Sequence, residues 1–326
     1  MKNQEKIFVI GHKNPDTDSI CSAIAYCDIK NRTTQESRYI PKRAGQINEE
    51  TEYVLNRFGV HPPGYLSNIG TQVKDMDIRL SPEANKSMSL KNAWDLMQEN
   101  SIVSLPIREK DGTLEGLITN GDIAKTYMDT TDSYLLSRAR TQYQRIAETI
   151  GGKVIEGNAH GYFIQGKIMV ATANPDKMKE YVEENDMVIM GNREEDHLQA
   201  IEQNVSCIIV GMGIEVTEKV LKLAHEKDIV IISSPYDTFT ISRLINQSIP
   251  VKYIMKTDNL VTFNTEDFTD DIQEVMIKHR HRAFPVINKK GKCIGTISRR
   301  NFLDMHRKKV VLVDHNEKDQ AVDNID

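Results

Sequence analysis

The chain has 326 residues, of which 39% are hydrophobic and 27% are charged, and 42 basic against 47 acidic side chains give a formal net charge of −5. This length suits two or three domains, and the composition is that of a globular protein. The small acidic excess argues against a nucleic-acid partner, no apolar run approaches the ~18 residues of a membrane span, and no signal peptide precedes the first predicted strand, so we expect a cytoplasmic protein.

Close to the N-terminus, a short apolar run predicts a buried strand, and the loop after it contains His12, Asp16 and Asp18 before a predicted helix over 20–29. In open α/β sheets, ligands bind at the carboxyl ends of the strands. Carboxylates favour Mg²⁺ or Mn²⁺, and an imidazole shifts the preference toward Mn²⁺, Co²⁺ or Fe²⁺. Two such ions roughly 3.5–4 Å apart can activate water and neutralise a phosphate. Alternatively, Asp18 or Ser19 caps the helix and Asp16 shapes the turn, with no metal bound.

Three sequence blocks point to one family. GHKNPDTDS at 11–19 resembles the first signature of the DHH phosphoesterase superfamily, in the form typical of family II inorganic pyrophosphatases. PKRAGQINEETEYVL at 41–55 and VLVDHNE at 311–317 are similar to further blocks of that family. In the family these blocks belong to one domain, so the resemblance implies that the long stretch between the last two is an insertion.

The resemblance also assigns roles to individual residues. It implies that His12 and Asp16 bind one metal ion, that Asp18 binds the other, and that Asp314 bridges both. The implied reaction is the hydrolysis of pyrophosphate to two phosphates with Mn²⁺ or Co²⁺ in the site and Mg²⁺ on the substrate. The alternative for Asp314 is a turn residue at the end of the apolar run that precedes it.

The rest of the N-terminal part has the pattern of an α/β domain. A short predicted strand at 38–40 ends at Pro41, and apolar positions at helical spacing predict a helix over 48–58 with Asn48 as its cap. A further strand is predicted near 65–69. Residues 73–78 are predicted as a strand or the approach to one.

Two stretches, 71–130 and 251–308, have the same order of elements: a helix, a strand, a turn with glycine, a second strand and a second helix. In the first copy Ser89 opens a helix with Trp94 on its apolar face, and in the second copy a helix is predicted over 269–278. An internal repeat of this kind outranks local interpretations of single segments.

Each copy resembles a CBS domain in the sequences LPIREKDGTLEGLITNGDI and FPVINKKGKCIGTISRRNF. The resemblance implies that the two copies pair and bind the adenine nucleotides AMP, ADP or ATP, with a hydroxyl residue and an Asp contacting ribose and phosphate. Thr119 and Asp122 match this pattern in the first copy. In the second copy Ser298 matches, but Asn301 occupies the position of the Asp, which weakens or alters ribose binding there.

Arg280 and His281 precede a strand of the second copy and offer phosphate charge and a stacking face. The alternative is that the basic run 279–282 is a solvated helix end, where cations are ordinary.

Between the two copies, short apolar runs alternate with helical patterns and predict a small α/β domain. Its predicted strands are 154–155, 167–173, 187–190, 207–210 and 229–232. The stretch resembles the DRTGG domain found inside some regulated pyrophosphatases. Gly211-Met212-Gly213 replaces the Thr-Gly-Gly of the domain name, and we predict turn residues there rather than a phosphate-binding loop.

The predicted fold is α/β: an incomplete DHH phosphoesterase domain with a parallel sheet is interrupted by a tandem CBS module of α+β type, which itself contains a DRTGG α/β domain. The predicted boundaries are 1–70 and 309–326 for the DHH domain, 71–130 and 251–308 for the CBS domains, and 131–250 for the DRTGG domain. The four cysteines are scattered without a CxxC pair, so we expect buried, reduced thiols.

The printed chain ends at Asp326, before the family's Asp-His-His motif, a later metal-binding Asp and the domain whose Lys and Arg residues hold the substrate phosphates. We therefore expect the chain alone to be a poor or inactive pyrophosphatase, because an incomplete ligand shell binds metal weakly. Such modules commonly associate in pairs, so the resemblance implies a homodimer. Two alternatives stay open: another DHH phosphoesterase that acts on a nucleotide or short polyphosphate, and a non-catalytic adenine-nucleotide sensor.

Overall fold

The computed structural model of the chain describes residues 6–35, 38–66, 70–128, 132–171, 175–303 and 309–313. The chain divides into two compact units, Met1–Ile78 with Phe263–His281 and Ser298–Asp326, and Arg79–Thr262 with Arg282–Ile297. Among the residues in the described ranges, no helix combines the length and the hydropathy that crossing a bilayer requires.

The elements of both units are numbered in chain order. The strands are β1 (Ile7–Ile10), β2 (Tyr39–Arg43), β3 (Gly64–Tyr65), β4 (Arg79–Leu80), β5 (Ser104–Arg108), β6 (Leu114–Thr119), β7 (Thr141–Gln142), β8 (Lys153–Glu156), β9 (Tyr162–Phe163), β10 (Ile168–Val170), β11 (Met187–Met190), β12 (Cys207–Val210), β13 (Val230–Ser233), β14 (Phe263–Asn264), β15 (Phe284–Ile287), β16 (Cys293–Ile297) and β17 (Lys309–Leu312). The helices are α1 (Thr17–Thr34), α2 (Glu49–Arg57), α3 (Leu90–Glu99), α4 (Asn120–Met128), α5 (Leu135–Arg138), α6 (Tyr143–Thr149), α7 (Pro175–Met178), α8 (Glu194–Glu202), α9 (Glu218–Glu226), α10 (Thr238–Leu244), α11 (Thr269–Lys278) and α12 (Arg300–Leu303).

A parallel sheet in the order β17-β1-β2-β3 organises the first unit. Ile7 lies opposite Lys309, so strands from near the two ends of the chain are neighbours in this sheet. Val9 is fully buried and packs with Ala23 and Cys27 of α1, which places that helix against one face of the sheet. The parallel sheet expected near the N-terminus is therefore present.

Predicted boundaries of α1 and β2 are wrong. Helix α1 ends at Thr34, five residues later than predicted, and begins at Thr17, three residues earlier, because Asp16 is its cap and accepts a hydrogen bond from the Ser19 N–H at 2.9 Å. Strand β2 continues through Pro41 to Arg43. Pro41 lies opposite Val9 of β1, and the pairing with β3 begins one residue later, at Lys42. Helix α2 and its cap match the prediction.

From Arg79 onward the first repeat lies in the second unit, and it largely matches its predicted elements. The hydroxyl of Ser89 accepts a hydrogen bond from the Asn92 N–H and caps α3, and Gly112 takes a φ of +89° in the turn between β5 and β6. Trp94 was expected on the apolar face of α3 but is 39% exposed, so it lies at the margin of that face. In the first unit, residues Val73–Asp75 form a 3₁₀ turn, and β4 begins at Arg79, so residues 73–78 are the approach to a strand rather than a strand.

The largest sheet of the second unit has the order β10-β11-β12-β13-β8, parallel except for β8. Strands β11 and β12 are apolar at every position, and β13 is apolar except at Ser233, because both faces are buried; successive side chains enter two separate cores. One core receives Met187, Ile189, Cys207, Ile209, Val230 and Ile232, and the other receives Val188, Met190, Ile208, Val210 and Ile231. The first core also contains Leu105 and Ile118 of the first repeat, so that repeat and this sheet share one continuous core.

The second repeat contributes α11 to the first unit and β15 and β16 to the second. In the second unit β16 pairs with β15 on one side and with β4 on the other, antiparallel in both cases.

Free thiols account for all four cysteines, as expected. Cys27, Cys207 and Cys293 are buried, and burial raises the pKa of the Cys27 thiol to about 11, which suits a packing role. Cys21 is the exception to the burial prediction because it is half-buried.

Candidate functional site

Two glycines allow the close backbone contacts that position the loop between β1 and α1. A Cβ on Gly11 would lie 1.9 Å from the Ser19 hydroxyl oxygen, so only glycine allows the end of β1 to meet the first turn of α1. A Cβ on Gly45 would lie 2.5 Å from the Lys13 carbonyl oxygen, which brings the loop before α2 against the first motif. Two of the sequence blocks that point to one family therefore meet at the carboxyl edge of the sheet.

At this edge the structure brings together two of the predicted metal ligands. The Nε2 atom of His12 lies 3.4 Å from Oδ1 of Asp16, and His12 is buried whereas Asp16 is exposed. Two ligands that each lie about 2.1 Å from an octahedral ion are about 3 Å apart, so this pair fits adjacent positions on one divalent cation. A mixed nitrogen and oxygen donor set suits Mn²⁺ or Co²⁺.

A third predicted metal ligand, Asp18, does not form a group of three metal-binding side chains with this pair in the described part of the chain. Asp18 is exposed on the first turn of α1, and its Oδ1 accepts a hydrogen bond from the Ser22 hydroxyl at 3.3 Å. Asp314 lies outside the described residues. Within the described ranges, no group of three or more His, Cys, Asp and Glu side chains could hold a metal ion. The alternative in which Asp18 or Ser19 caps α1 is wrong, since Asp16 is the cap.

At the end of β6 in the first repeat, Thr119 and Asp122 form a compact pair. Oδ2 of Asp122 accepts hydrogen bonds from the Thr119 N–H at 2.9 Å and from its hydroxyl at 2.6 Å. This arrangement is close to a capping box at the start of α4. The second carboxylate oxygen, Oδ1, lies 3.3 Å from Nζ of Lys256, so one charged acceptor faces the ammonium group of a largely exposed side chain.

The corresponding turn of the second repeat is built from Ser298 and Asn301. Oδ1 of Asn301 accepts hydrogen bonds from the Ser298 N–H at 2.7 Å and from its hydroxyl at 2.8 Å. The Asn301 amide donates to the carbonyl oxygen of Asp77 at 2.6 Å. Both the oxygen and the nitrogen of the Asn301 amide, which replaces the expected carboxylate, are thus hydrogen-bonded within the first unit.

Arg280 and His281 are both exposed, just after the end of α11. The rings of His279 and His281 stack with centroids 5.7 Å apart, so the basic run has an ordered aromatic face. Thr119 and Asp122 belong to one unit, and Arg280, His281 and Ser298 belong to the other.

Two residues near these sites were missed by the sequence analysis. Lys256 pairs with Asp122, and its position follows from a β-bridge to Leu117 of β6 that no local pattern signals. Arg299 donates from its guanidinium to the His279 carbonyl oxygen at 2.6 Å and satisfies the C-terminal end of α11. The only available signal for Arg299 was its basic side chain next to the second repeat motif.

The glycine-rich turn after β12 is closed by backbone hydrogen bonds. The Met212 N–H donates to the Tyr236 carbonyl oxygen at 2.7 Å, and the Gly213 N–H donates to the Ser234 carbonyl oxygen at 2.8 Å. Met212 and Gly213 both have positive φ values, 63° and 64°. Their N–H groups are therefore not available to bind phosphate, and the prediction of turn residues is confirmed.

Family models identify two kinds of domain in the chain. The DRTGG domain matches residues 145–248, and the CBS domain matches residues 77–129 and 251–308. These matches confirm the expected presence of both domain types.

Comparison with known proteins gives relatives along the whole chain. It is 38% identical over 320 residues to a cobalt-dependent inorganic pyrophosphatase of Clostridium perfringens, a match that spans 98% of this chain and 58% of the relative. It is 30% identical over 326 residues to a probable manganese-dependent inorganic pyrophosphatase of Thermotoga maritima, over 100% of this chain and 59% of the relative. The chain thus spans about three-fifths of these relatives.

Among solved structures, the CBS and DRTGG domains of the regulatory region of the C. perfringens pyrophosphatase, complexed with the activator diadenosine tetraphosphate, match with 34% identity and a TM-score of 0.67. The match covers 70% of this chain and 100% of that structure.

Proposed function

We propose, on the premise that this chain is a homologue of the family II inorganic pyrophosphatases with CBS and DRTGG domains, that it binds adenine nucleotides in its CBS repeats and that this binding regulates pyrophosphate hydrolysis. AMP, ADP, ATP and diadenosine tetraphosphate are the candidate regulators. Pyrophosphate is the proposed substrate, and Mn²⁺ or Co²⁺ is the proposed resident metal.

The observation that carries the nucleotide part is the carboxylate of Asp122. It is oriented by two hydrogen bonds from Thr119, and its Oδ1 lies 3.3 Å from the ammonium group of Lys256. A ribose hydroxyl can replace Lys256 as the donor to this oxygen, because the Lys256 side chain is 58% exposed and its ammonium group finds water when displaced. The relative with a solved regulatory region binds a nucleotide activator, which supports the same ligand class here.

For the catalytic part, we propose that His12 and Asp16 bind one metal ion, with Asp18 and Asp314 as further ligands. The metals would polarise the pyrophosphate and lower the pKa of water when bound. The close backbone approaches at Gly11 and Gly45 and the buried imidazole of His12 position the proposed metal ligands. Residues 1–70 and 309–326 are proposed as parts of one DHH domain, with the CBS and DRTGG domains inserted between them.

Regulation requires that a nucleotide binds more tightly to one state of the protein than to the other. The continuous core between the first repeat and the DRTGG sheet supports a role for that sheet in the change between states, because packed cores switch between discrete arrangements. Association into a homodimer is part of this proposal, by resemblance to paired CBS modules.

The test is calorimetric titration of the whole chain with AMP and with diadenosine tetraphosphate, followed by phosphate release from pyrophosphate in Mn²⁺. We expect saturable nucleotide binding. We also expect slow hydrolysis by residues 1–326, because the described part of the chain brings only two metal ligands together. A folded chain that releases no heat with either nucleotide would contradict the regulatory function. Rapid hydrolysis of dinucleotides without hydrolysis of pyrophosphate would favour another phosphoesterase.

A second candidate function is a nucleotide sensor without catalysis. It is favoured by the share of the chain that the CBS and DRTGG models match, residues 77–129, 145–248 and 251–308. Saturable AMP binding together with no metal-dependent phosphate release would support it.

A further inference from the structure

Next to Asp122, the second unit contains a cavity of about 570 Å³. This volume is within the range of small-molecule sites in proteins. Tyr253 and Lys256 line it from the first residues of the second repeat, and Lys125 lines it from α4. The remaining wall includes Asp132 and Arg138, which lie outside the residues matched by the CBS and DRTGG models.

Arg138 and Asp132 form an ion pair at the wall of this cavity. Arg138 is 57% exposed and Asp132 is 27% exposed, so the pair is in contact with water and is not fixed by burial. An exposed ion pair of this kind contributes little to stability and exchanges partners at small cost. Arg138 can therefore leave Asp132 for a stronger anion in the cavity.

The charges around the cavity are arranged as two internal pairs. Asp122 faces Lys256, and Asp132 faces Arg138, while Lys125 adds a further cation. A ligand with hydroxyl groups and phosphates offers a donor to Asp122 and an anion to Arg138. Both ion pairs can therefore exchange a protein partner for a ligand group at the same time. Guanidinium groups form bidentate hydrogen bonds with phosphate oxygens and are the preferred side chain for this contact.

We propose that Arg138 binds the phosphates beyond the first one of a nucleotide held by Asp122, and that Asp132 restrains it in the absence of such a ligand. This inference rests on the proposed nucleotide-binding function and names the group that distinguishes nucleotides with several phosphates from AMP. A monophosphate satisfies Lys125 and Lys256 close to the ribose, whereas additional phosphates are required to displace Asp132 from Arg138.

The position of Arg138 also links the ligand to the DRTGG sheet. Arg138 ends the short helix α5, whose residues Leu135 and Leu136 are buried in the core shared by the first repeat and that sheet. Leu135 also lines the cavity. A movement of Arg138 toward phosphate therefore acts on a helix that is packed into this shared core.

The experiment is calorimetric titration of the whole chain with AMP, ADP and ATP, using wild type, Arg138→Gln, Asp132→Asn and the control Arg140→Gln. Arg140 lies in the same connector, is exposed and does not line the cavity. We expect Arg138→Gln to weaken ATP binding by about tenfold or more and AMP binding by less than about twofold, since charge-assisted hydrogen bonds are the strong ones. Asp132→Asn is expected to strengthen ATP binding, because it frees Arg138 without removing it.

Two results would overturn the inference. An equal loss for AMP, ADP and ATP in Arg138→Gln would mean that the guanidinium contacts the base or ribose. Unchanged ATP binding in both Arg138→Gln and Asp132→Asn would remove Arg138 from the site. These results differ from failure of the proposed function, in which wild type itself binds none of the three nucleotides. Far-ultraviolet circular dichroism of each variant checks that the fold is retained.

Discussion

The second strands of the two CBS repeats end in the same kind of turn, but different side chains form the turn in each repeat. In both, a hydroxyl residue and a residue three positions later close the turn through two hydrogen bonds to one side-chain oxygen. In the first repeat the other oxygen belongs to the Asp122 carboxylate and faces Lys256. In the second repeat the other end is the amide of Asn301, which donates to the Asp77 carbonyl oxygen.

The difference separates a structural role from a binding role. The capping geometry is shared, so it cannot by itself make a nucleotide site. At the first repeat, the charged Asp122 carboxylate lies next to a cavity. At the second repeat, the corresponding group is the neutral amide of Asn301, which is hydrogen-bonded to the Asp77 carbonyl oxygen. We therefore expect the first repeat to carry the larger share of nucleotide affinity.

The largest expected effect comes from Asp122→Asn, which gives the first repeat the chemistry of the second. Its side-chain oxygen can still accept from Thr119, so stability is expected to change little. Hydrogen bonds to charged groups contribute more than those between neutral groups, so AMP affinity is expected to fall by about tenfold or more. Calorimetric titration measures this loss, and Glu99→Gln, at an exposed acid of the same repeat, is the control.

Asn301→Asp makes the reverse change and is expected to destabilise the first unit. The carboxylate still accepts from Ser298, but its second oxygen then faces the Asp77 carbonyl oxygen without a hydrogen atom between them. The expected cost is about 1–3 kcal/mol at pH 7. Urea unfolding with Asn288→Asp as the control measures it, since the Asn288 side-chain oxygen only accepts hydrogen bonds from the Lys290 and Lys292 N–H groups.

The same variant predicts a pH dependence. The folded-state pKa of the new carboxyl is raised, because its ionised form is disfavoured next to the carbonyl and its protonated form can donate to it. The destabilisation is therefore full above that pKa and shrinks as the pH falls through it. Equal destabilisation at pH 7 and at about pH 4 would contradict the assigned hydrogen bond.

Lys256→Gln is expected to have the smallest effect. The Lys256 side chain is 58% exposed, and exposed ion pairs typically contribute less than about 1 kcal/mol, so the unfolding free energy is expected to change by no more than that. The difference from wild type should shrink further in high salt because the pair is screened. A large loss of stability that persists in high salt would show that Lys256 has a structural role.

Local patterns predicted the elements of both repeats well, because helix caps and turn glycines act over a few residues. The cap of α3 by Ser89 and the turn at Gly112 are examples. The strands at 187–190 and 207–210 were also predicted at their full extent, since burial on both faces leaves an unbroken apolar run.

Features that depend on distant residues were not predictable. The bond from Asn301 to Asp77 joins positions 224 residues apart, and the contact of Lys256 with Asp122 depends on a bridge between segments far apart in sequence. Two aspartates and Ser19 near the start of α1 had similar capping potential, and the sequence did not show that Asp16 is the one that caps the helix. The metal roles of His12, Asp16, Asp18 and Asp314 stay predictions.

The most direct test of the account is the stoichiometry of AMP binding to the whole chain, measured by calorimetric titration at a protein concentration well above the dissociation constant. The account predicts one AMP bound per chain, at the first repeat, and loss of that binding in Asp122→Asn. Two equivalent sites per chain, or one site that Asp122→Asn leaves unchanged, would contradict the difference between the repeats.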